Sequence, residues 1–356
     1  MKRAIKLVLP YDKRVAKTVI TYNKACNFIM KRGYELGTFN KLKLHHATYK
    51  ETRKRFPNLT SSLVCAARDQ ASDMLKREKL EILPVKKEFS SIRYNLRTFH
   101  LYLDKGIITL STLFGRIKLP ITIPAHFKPY ISWRIAGTTL SIKNGKIILN
   151  LIAETDDPDK LAITKAIGID RGIINPVVTN DAQFFNSREL RAVKGKYQWL
   201  KSQLQSKGTR SAKRHLKALS GRENRFVRDV NHCISKQIAT SDAQLFVLEK
   251  LHIKRKKKNG RRFNKLLGNW SYMQFEQFLT YKADALGKTI EHINPKYTSQ
   301  TCSACGQIRK ANRKGVWYSC NNCGQTINSD LNAARNIVAL SKFFKQQVAV
   351  NQPIVT

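Results

Sequence analysis

Two cysteine pairs, Cys302-x-x-Cys305 and Cys320-x-x-Cys323, stand fourteen residues apart, each followed directly by a glycine, Gly306 and Gly324. A C-x-x-C-G segment places two thiolates on one tight knuckle, whose glycine accepts positive φ and close backbone approach. Four thiolates complete a tetrahedron around one Zn²⁺ and leave no position for a reactive water. The spacing therefore predicts one structural zinc per chain, with a redox disulfide pair as the weaker alternative. The other cysteines, Cys26, Cys65 and Cys233, read as small buried residues. The start, MKRAIKLVLPYDKR, meets Pro10 and more charge without a small-residue cleavage site. Secretion is not expected, and in an intracellular, cytoplasmic setting paired cysteines favour metal over disulfide.

The 356-residue chain carries 66 Lys and Arg against 24 Asp and Glu, a formal charge of +42. Such a surplus repels itself in a compact protein unless a polyanion neutralises it, and nucleic acid is the obvious one. A ribosome-like assembly protein would share the charge. A membrane-surface binder is disfavoured, because no basic amphipathic helix is sustained and no apolar run would span a bilayer. With 42% hydrophobic residues the chain can bury a substantial core, in two to four structural units.

Residues 2–9 read as a strand, and 13–80 show helical spacing broken near Gly33, Gly37 and Pro57. The clearest helix is 60–80, capped by Thr60-Ser61-Ser62, with Leu63, Ala66, Ala67, Ala71, Met74 and Leu75 on one side. From 89 to 154 the period changes to that of consecutive antiparallel strands, with turns at Asp104-Lys105-Gly106 and Lys143-Asn144-Gly145, predicting a small barrel or sandwich that the first strand can join. The acidic segment 154–160 reads as a linker. A buried strand, 162–170, opens a new domain, followed by a second at NPVVTN and a short third at QFF. Residues 188–228 form helical segments with thirteen Lys or Arg against Glu189 and Glu223, a net of +11. That imbalance favours a phosphate-facing surface over a solvated one and nominates Arg191, Lys194, Lys213, Arg214, Lys217, Arg225 and Arg228. A strand at 243–248 ends at Glu249, the basic loop 254–262 adds Lys256, Lys257, Lys258, Arg261 and Arg262, and 270–286 reads as an amphipathic helix before a strand at KTIEHIN. Beside the cysteines, Arg309, Arg313 and Lys314 interleave with Trp317 and Tyr318. They read equally as a surface that grips phosphate and stacks bases or, for the two aromatics, as a cover over the knuckles. The last helix begins at Ser329, its N-cap.

Asp170 ends one buried strand, Glu249 ends another, and Asp330 starts a helix just after the cysteine module. Carboxylates at element ends that converge can hold two Mg²⁺ ions, as two-metal phosphodiester hydrolysis requires. Each alone has an ordinary reading: a turn residue, a solvated strand end, a first-turn helix acid.

GIDRG around Asp170, VLEKL around Glu249, YTSQTCSACG with CNNCG, and SDLNAARNI around Asp330 resemble the TnpB family of transposon-encoded RNA-guided nucleases, whose RuvC-like core the miniature type V CRISPR effectors share. The resemblance implies an α/β, RNase H-like (RuvC) core with an inserted zinc module, preceded by an antiparallel β-barrel (wedge) domain interrupted by a helical (recognition) insertion. It implies this layout: 1–12 first wedge strand, 13–88 recognition, 89–160 wedge, 161–294 nuclease, 295–327 zinc module, 328–345 final helix, 346–356 tail. It further implies a Mg²⁺ site at Asp170, Glu249 and Asp330, a guide RNA from the same locus and a DNA target. Lys250 departs from the second acid many relatives carry there, but all three core carboxylates are present. The alternatives are a nuclease-inactive RNA-guided DNA-binding regulator, a miniature type V effector, or a DNA transposase proper.

Overall fold

The computed structural model describes residues 1–103, 105–251, 260, 264 and 271–345, and it divides into two compact units, Met1–Asp156 and Asp157–Thr356. The proposed contacts at Lys256, Lys257, Lys258, Arg261 and Arg262, and the tail 346–356, lie outside the described residues.

In the first unit, β1 (Lys2–Leu9) leads into three helices, α1 (Lys13–Glu35), α2 (Lys41–Arg55) and α3 (Ser61–Arg77). Each starts on a side-chain cap, from Asp12, Asn40 and Thr60, whose oxygen accepts otherwise unpaired N–H groups of the first turn. The strands β2 (Ile92–Tyr94), β3 (Phe99–Tyr102), β4 (Ile107–Thr112), β5 (Gly115–Pro120), β6 (Arg134–Lys143) and β7 (Lys146–Glu154) follow. β1 pairs antiparallel with β7 along its whole length, so the helices are an insertion between β1 and β2. The β6–β7 hairpin turns at Asn144 and Gly145, both at positive φ, as an Asn-Gly turn requires. Of the barrel or sandwich expected, the hydrogen-bonded ladders do not run on as one continuous sheet. The ladders make two sheets, β1-β7-β6-β2 and β3-β4-β5, because β2 ends after three residues and the chain turns at Asn95–Thr98 before β3 begins.

The second unit runs β8 (Ala166–Asp170), β9 (Val177–Thr179), β10 (Phe184–Phe185), α4 (Arg188–Lys207), α5 (Arg210–Ala239), β11 (Leu245–Glu249), α6 (Tyr272–Ala285), β12 (Thr289–Ile293), the short strands β13 (Arg313–Lys314), β14 (Trp317–Ser319) and β15 (Thr326–Asn328), and α7 (Ser329–Ala339). Its main sheet has the order β10-β9-β8-β11-β12, with β8, β11 and β12 parallel and β9 and β10 antiparallel. It is a mixed α/β sheet. The basic segment 188–228 is two helices, parted at Gly208, and the second extends to Ala239.

The parity of the central strands decides what faces what. Ile167, Ile169, Phe246 and Leu248 pack on one side with Ile234, Ile238, Phe275 and Leu279 of α5 and α6. Ala166, Leu245, Val247 and Ile293 pack on the other with Ile337 and Val338 of α7. Gly168 belongs to the α7 side, and a Cβ there would meet the Ala334 carbonyl oxygen at 2.3 Å and the Val338 nitrogen at 2.7 Å. Only a residue without a side chain lets α7 lie this close to the strand.

Of the three solitary cysteines, Cys26 is buried as expected, whereas Cys65 is half-buried and Cys233 exposed. Cys233 lies on the outward side of α5, where burial was not available.

Candidate carboxylate centre and zinc module

Asp170 and Gly168 share a face of β8, while Asp330 and Ala334, four residues apart, share a face of α7. Because Gly168 touches Ala334, Asp170 comes to the N-terminal turn of α7, where Asp330 stands. The parallel register pairs Leu248 with Ile169, so the next residue, Glu249, lies beside Asp170 on the same face. The structure thus brings the three carboxylates together.

Their electrostatics reflect that crowding. Burial, then the charges of Glu249 and Asp330, push the Asp170 carboxyl up to about 8, with Arg313 opposing. Burial also raises Glu249, against the Thr298 hydroxyl hydrogen bond and the charges of Arg171 and Arg313. Glu249 is not the solvated strand end of its ordinary reading, since only 9% of its surface is exposed. At Asp170 the two neighbouring carboxylates add to the effect of burial, and carboxylates so gathered are the ligands divalent ions take.

Several neighbours escaped the sequence reading. Thr298 donates its hydroxyl hydrogen to Glu249 Oε1. Asn175, in the loop after β8, donates to Asp330 Oδ2 at 2.9 Å, and Arg313 of β13 lies 3.4 Å from Oδ1. Arg171, next in sequence to Asp170, has a side chain only 1% exposed. Its guanidinium donates to Glu276 of α6 and to the backbone carbonyl of Glu249, and it lies over the Tyr272 ring. Glu276 also bonds His292 Nε2 at 2.8 Å. The one sequence signal was Arg171 itself, a charge flanking a buried strand end. Its partner lies a hundred residues away.

The four cysteines form one cluster, with all Sγ atoms within 4.8 Å of one another. Cys302 and Cys323 are 3.7 Å apart and Cys305 and Cys320 3.6 Å, far beyond a disulfide bond. Four ligands at about 2.3 Å from a tetrahedral Zn²⁺ are separated by about 3.8 Å, so the donor set fits the ion in kind and spacing. The knuckles repeat one pattern: Gly306 N–H bonds the Cys302 carbonyl and Gly324 N–H the Cys320 carbonyl, each at 3.0 Å, with both glycines at positive φ. A Gln307 backbone N–H and the Asn322 amide hold the Cys305 thiol down at about 6, while burial and the neighbouring thiols push Cys323 up to about 12.

Asparagines of α7 tie this module to the carboxylates. Asn332 accepts from Ser303 N–H and donates to the Thr301 carbonyl, and Asn336 donates to the carbonyls of Thr298 and Thr301. The helix is capped by Asn328, whose side chain accepts from Asp330 N and Leu331 N, and not by Ser329, which is itself the first helical residue. The two aromatics separate. Tyr318 is fully buried with Cys302 and Cys320 and donates to the Gln300 carbonyl, so it covers the knuckle and does not stack bases; Trp317 is 57% exposed. Arg309, Arg313 and Lys314 are exposed, as are Arg191, Lys213, Arg214, Lys217, Arg225 and Arg228, while Lys194 is half-buried.

Residues 151–260 match the family model of a probable transposase, and residues 272–337 match that of the TNB domain of Cas12f1-like proteins. A 75-residue stretch, 21% of this chain, is 45% identical to the CRISPR-associated endodeoxyribonuclease Cas12f1 of Sulfoacidibacillus thermotolerans and covers 18% of it. A 128-residue stretch, 35% of this chain, is 30% identical to a TnpB-like protein of Methanocaldococcus jannaschii and covers 46% of it. The matched stretches thus span from about a fifth to about half of these relatives. Among solved structures, Cas12f1 in complex with single-guide RNA and target DNA shares the fold at a TM-score of 0.62 and 16% identity, over 92% of this chain and 83% of that one. The mini-RNA-guided endonuclease CRISPR-Cas phi3 does so at 0.57 and 8%, over 95% and 92%. The similarity to TnpB and Cas12f1 proteins that the motifs carry is thereby shown, and the solved structures extend the likeness of fold to the first unit. Among the described residues no helix is long and apolar enough to cross a membrane.

Proposed function

We propose that this chain is a TnpB-like, transposon-encoded, RNA-guided DNA endonuclease that hydrolyses phosphodiester bonds at Asp170, Glu249 and Asp330 with two Mg²⁺ ions. The observation that carries this reading is the meeting of the three carboxylates on one face of the sheet, with burial pushing Asp170 and Glu249 toward protonation and the neighbouring carboxylates adding to it at Asp170. When bound, the two ions would lower the pKa of a water and stabilise the leaving oxygen.

The chain's own residues set the geometry. Thr298 and Arg171 fix the two ends of Glu249, its carboxylate and its backbone carbonyl. Asn175 orients Asp330, and Arg313, within reach of the same carboxylate, offers a cation to a phosphate bound there. Cys302, Cys305, Cys320 and Cys323 would hold one Zn²⁺ as a structural ion, keeping the Thr298–Ser303 segment against α7. The exposed cations of α4 and α5 supply a backbone-gripping surface for a guide–target heteroduplex, whose base pairing selects the sequence. The partners are then a guide RNA from the same locus and its DNA target, within the cell.

The test is to purify the protein with its co-expressed RNA and incubate it with matching DNA and Mg²⁺. Cleavage by the wild type and none by Asp170→Ala, with RNA and target binding retained, is the expected result. Equal cleavage by both would refute the assignment, and retention without cuts by the wild type would mark a nuclease-inactive regulator. The similarity of the zinc module to Cas12f1 favours one second reading, a miniature type V CRISPR effector, which repeat-derived sequence in the copurified RNA would identify.

A further inference from the structure

A cavity of about 190 Å³ lies between α4, α5 and the first turn of α6, and it plays no part in the chemistry above. Ile173, Pro176, Leu190 and Phe275 supply apolar walls, and Gln198 and Asn231 are also part of the lining, the Asn231 amide nitrogen donating to Ser271 Oγ and Gln274 Oε1. Arg191 and Lys194, three residues apart on one helix face, are also part of the lining, and among the described residues no acidic side chain is. The volume is below the roughly 300 Å³ of a drug-sized site and suits a single ring system. Apolar walls against a ring face, an amide such as that of Gln198 for its edge and cations for an adjoining phosphate are the features by which proteins hold an extruded base. The lining Ile173 and Pro176 bracket Asn175, whose amide holds Asp330, so the cavity and the carboxylate centre share one loop. Burial holds the Lys194 ammonium below its ordinary range, against the charge of Glu223.

We infer that this cavity receives one unpaired nucleobase of the DNA strand that passes through the carboxylate centre, with Arg191 and Lys194 on the phosphate beside that base. The inference rests on the nuclease reading for the identity of the strand. It adds a fixed register to that reading: a base seated here, one loop away from Asp330, would set which phosphate reaches the carboxylates.

Gly195 lines the cavity, and a Cβ built on it meets nothing within 4 Å. Gly195→Phe and the smaller Gly195→Leu therefore add side-chain bulk at the exposed edge of the cavity without a clash at Cβ, while leaving the carboxylates and both cations in place. The full chain with its copurified RNA, in the Asp170→Ala form that keeps DNA uncut, is irradiated with single-stranded DNA carrying one 5-iodouracil at successive positions, and the crosslinked peptides are mapped. The expected result is a crosslink from one position to residues 188–201 or 271–278, reduced about tenfold by Gly195→Phe and less by Gly195→Leu, with unchanged melting temperatures. Crosslinks only to other segments, or an unchanged yield in both variants, would overturn the inference. A wild type that never cuts yet gives this crosslink would leave the base pocket standing and overturn the nuclease reading instead.

Discussion

Thr298, four residues before the first zinc-module cysteine, donates its hydroxyl hydrogen to Glu249, the acid at the end of β11. Its backbone carbonyl in turn accepts from Asn336 of α7, the helix that carries Asp330. One residue at the mouth of the cysteine module thus links two of the three carboxylate-bearing elements.

Thr298→Val keeps the shape and removes the hydrogen bond to a buried carboxylate. Bonds to charged groups contribute about 1.5–3 kcal/mol, so the Mg²⁺ concentration for half-maximal cleavage should rise about tenfold or more. Thr298→Ser should restore it. Titration of Mg²⁺ in a cleavage assay checks this, and equal values for all three proteins would remove Thr298 from the site.

Removing the zinc should disturb the carboxylates as well as the knuckles. Elemental analysis should find about one zinc per chain, and the Cys302→Ser, Cys305→Ser double variant should lose it with local folding. Amide hydrogen exchange should then quicken at Thr301 and Ser303, whose backbone groups α7 holds. Zinc-free protein with unchanged exchange would contradict the coupling.

The Asp170 carboxyl gives metal-free protein a definite pH dependence. Its folded value is raised from 3.8 to about 8, so across that window the folded state holds a proton that the unfolded chain has released. Stability should therefore fall as pH rises through the window, by up to a few kcal/mol for an isolated group. Asp170→Asn should flatten the slope and raise the melting temperature at pH 8. A lower melting temperature for the variant at pH 8 would show that this carboxyl is not penalised by its surroundings.

Arg171 and Glu276 form a pair in which one member is almost wholly enclosed. Breaking such a pair leaves an uncompensated charge and costs about 3–5 kcal/mol, whereas replacing both partners by apolar residues can be close to neutral. Arg171→Met should be strongly destabilised in denaturant unfolding, and Arg171→Met with Glu276→Met should recover much of the loss. Additive losses in that double-mutant cycle would deny the coupling.

The features legible in the sequence were those whose information is local. Paired cysteines and glycines announce a knuckle, Thr60 announces a helix start, and Asn144-Gly145 announces a hairpin, each within a few residues. The gathering of Asp170, Glu249 and Asp330 was an expectation from strand ends and family motifs, and the packing of Gly168 on Ala334 supplies its physical cause. What stayed hidden was long-range or depended on a choice between neighbours. Thr298 and Arg171 look ordinary until the fold brings them to Glu249. Asn328 and Ser329 are both good caps, and the backbone turn at Asn328 decides between them. Trp317 and Tyr318 alternate on β14, so one must face the knuckle and the other solvent. The choice between barrel and sandwich is not legible in the sequence, because a run of strands does not reveal where one ladder stops.

The central claim is that Asp170, Glu249 and Asp330 hold divalent metal together, and it can be measured without any DNA. Electron paramagnetic resonance of Mn²⁺ titrated into the wild type and into Asp170→Ala, Glu249→Gln and Asp330→Ala reads it directly. The account predicts Mn²⁺ bound at up to two ions per wild-type chain, weakened about tenfold or more by each substitution while the zinc content stays the same. Undiminished Mn²⁺ binding in the three variants would contradict it.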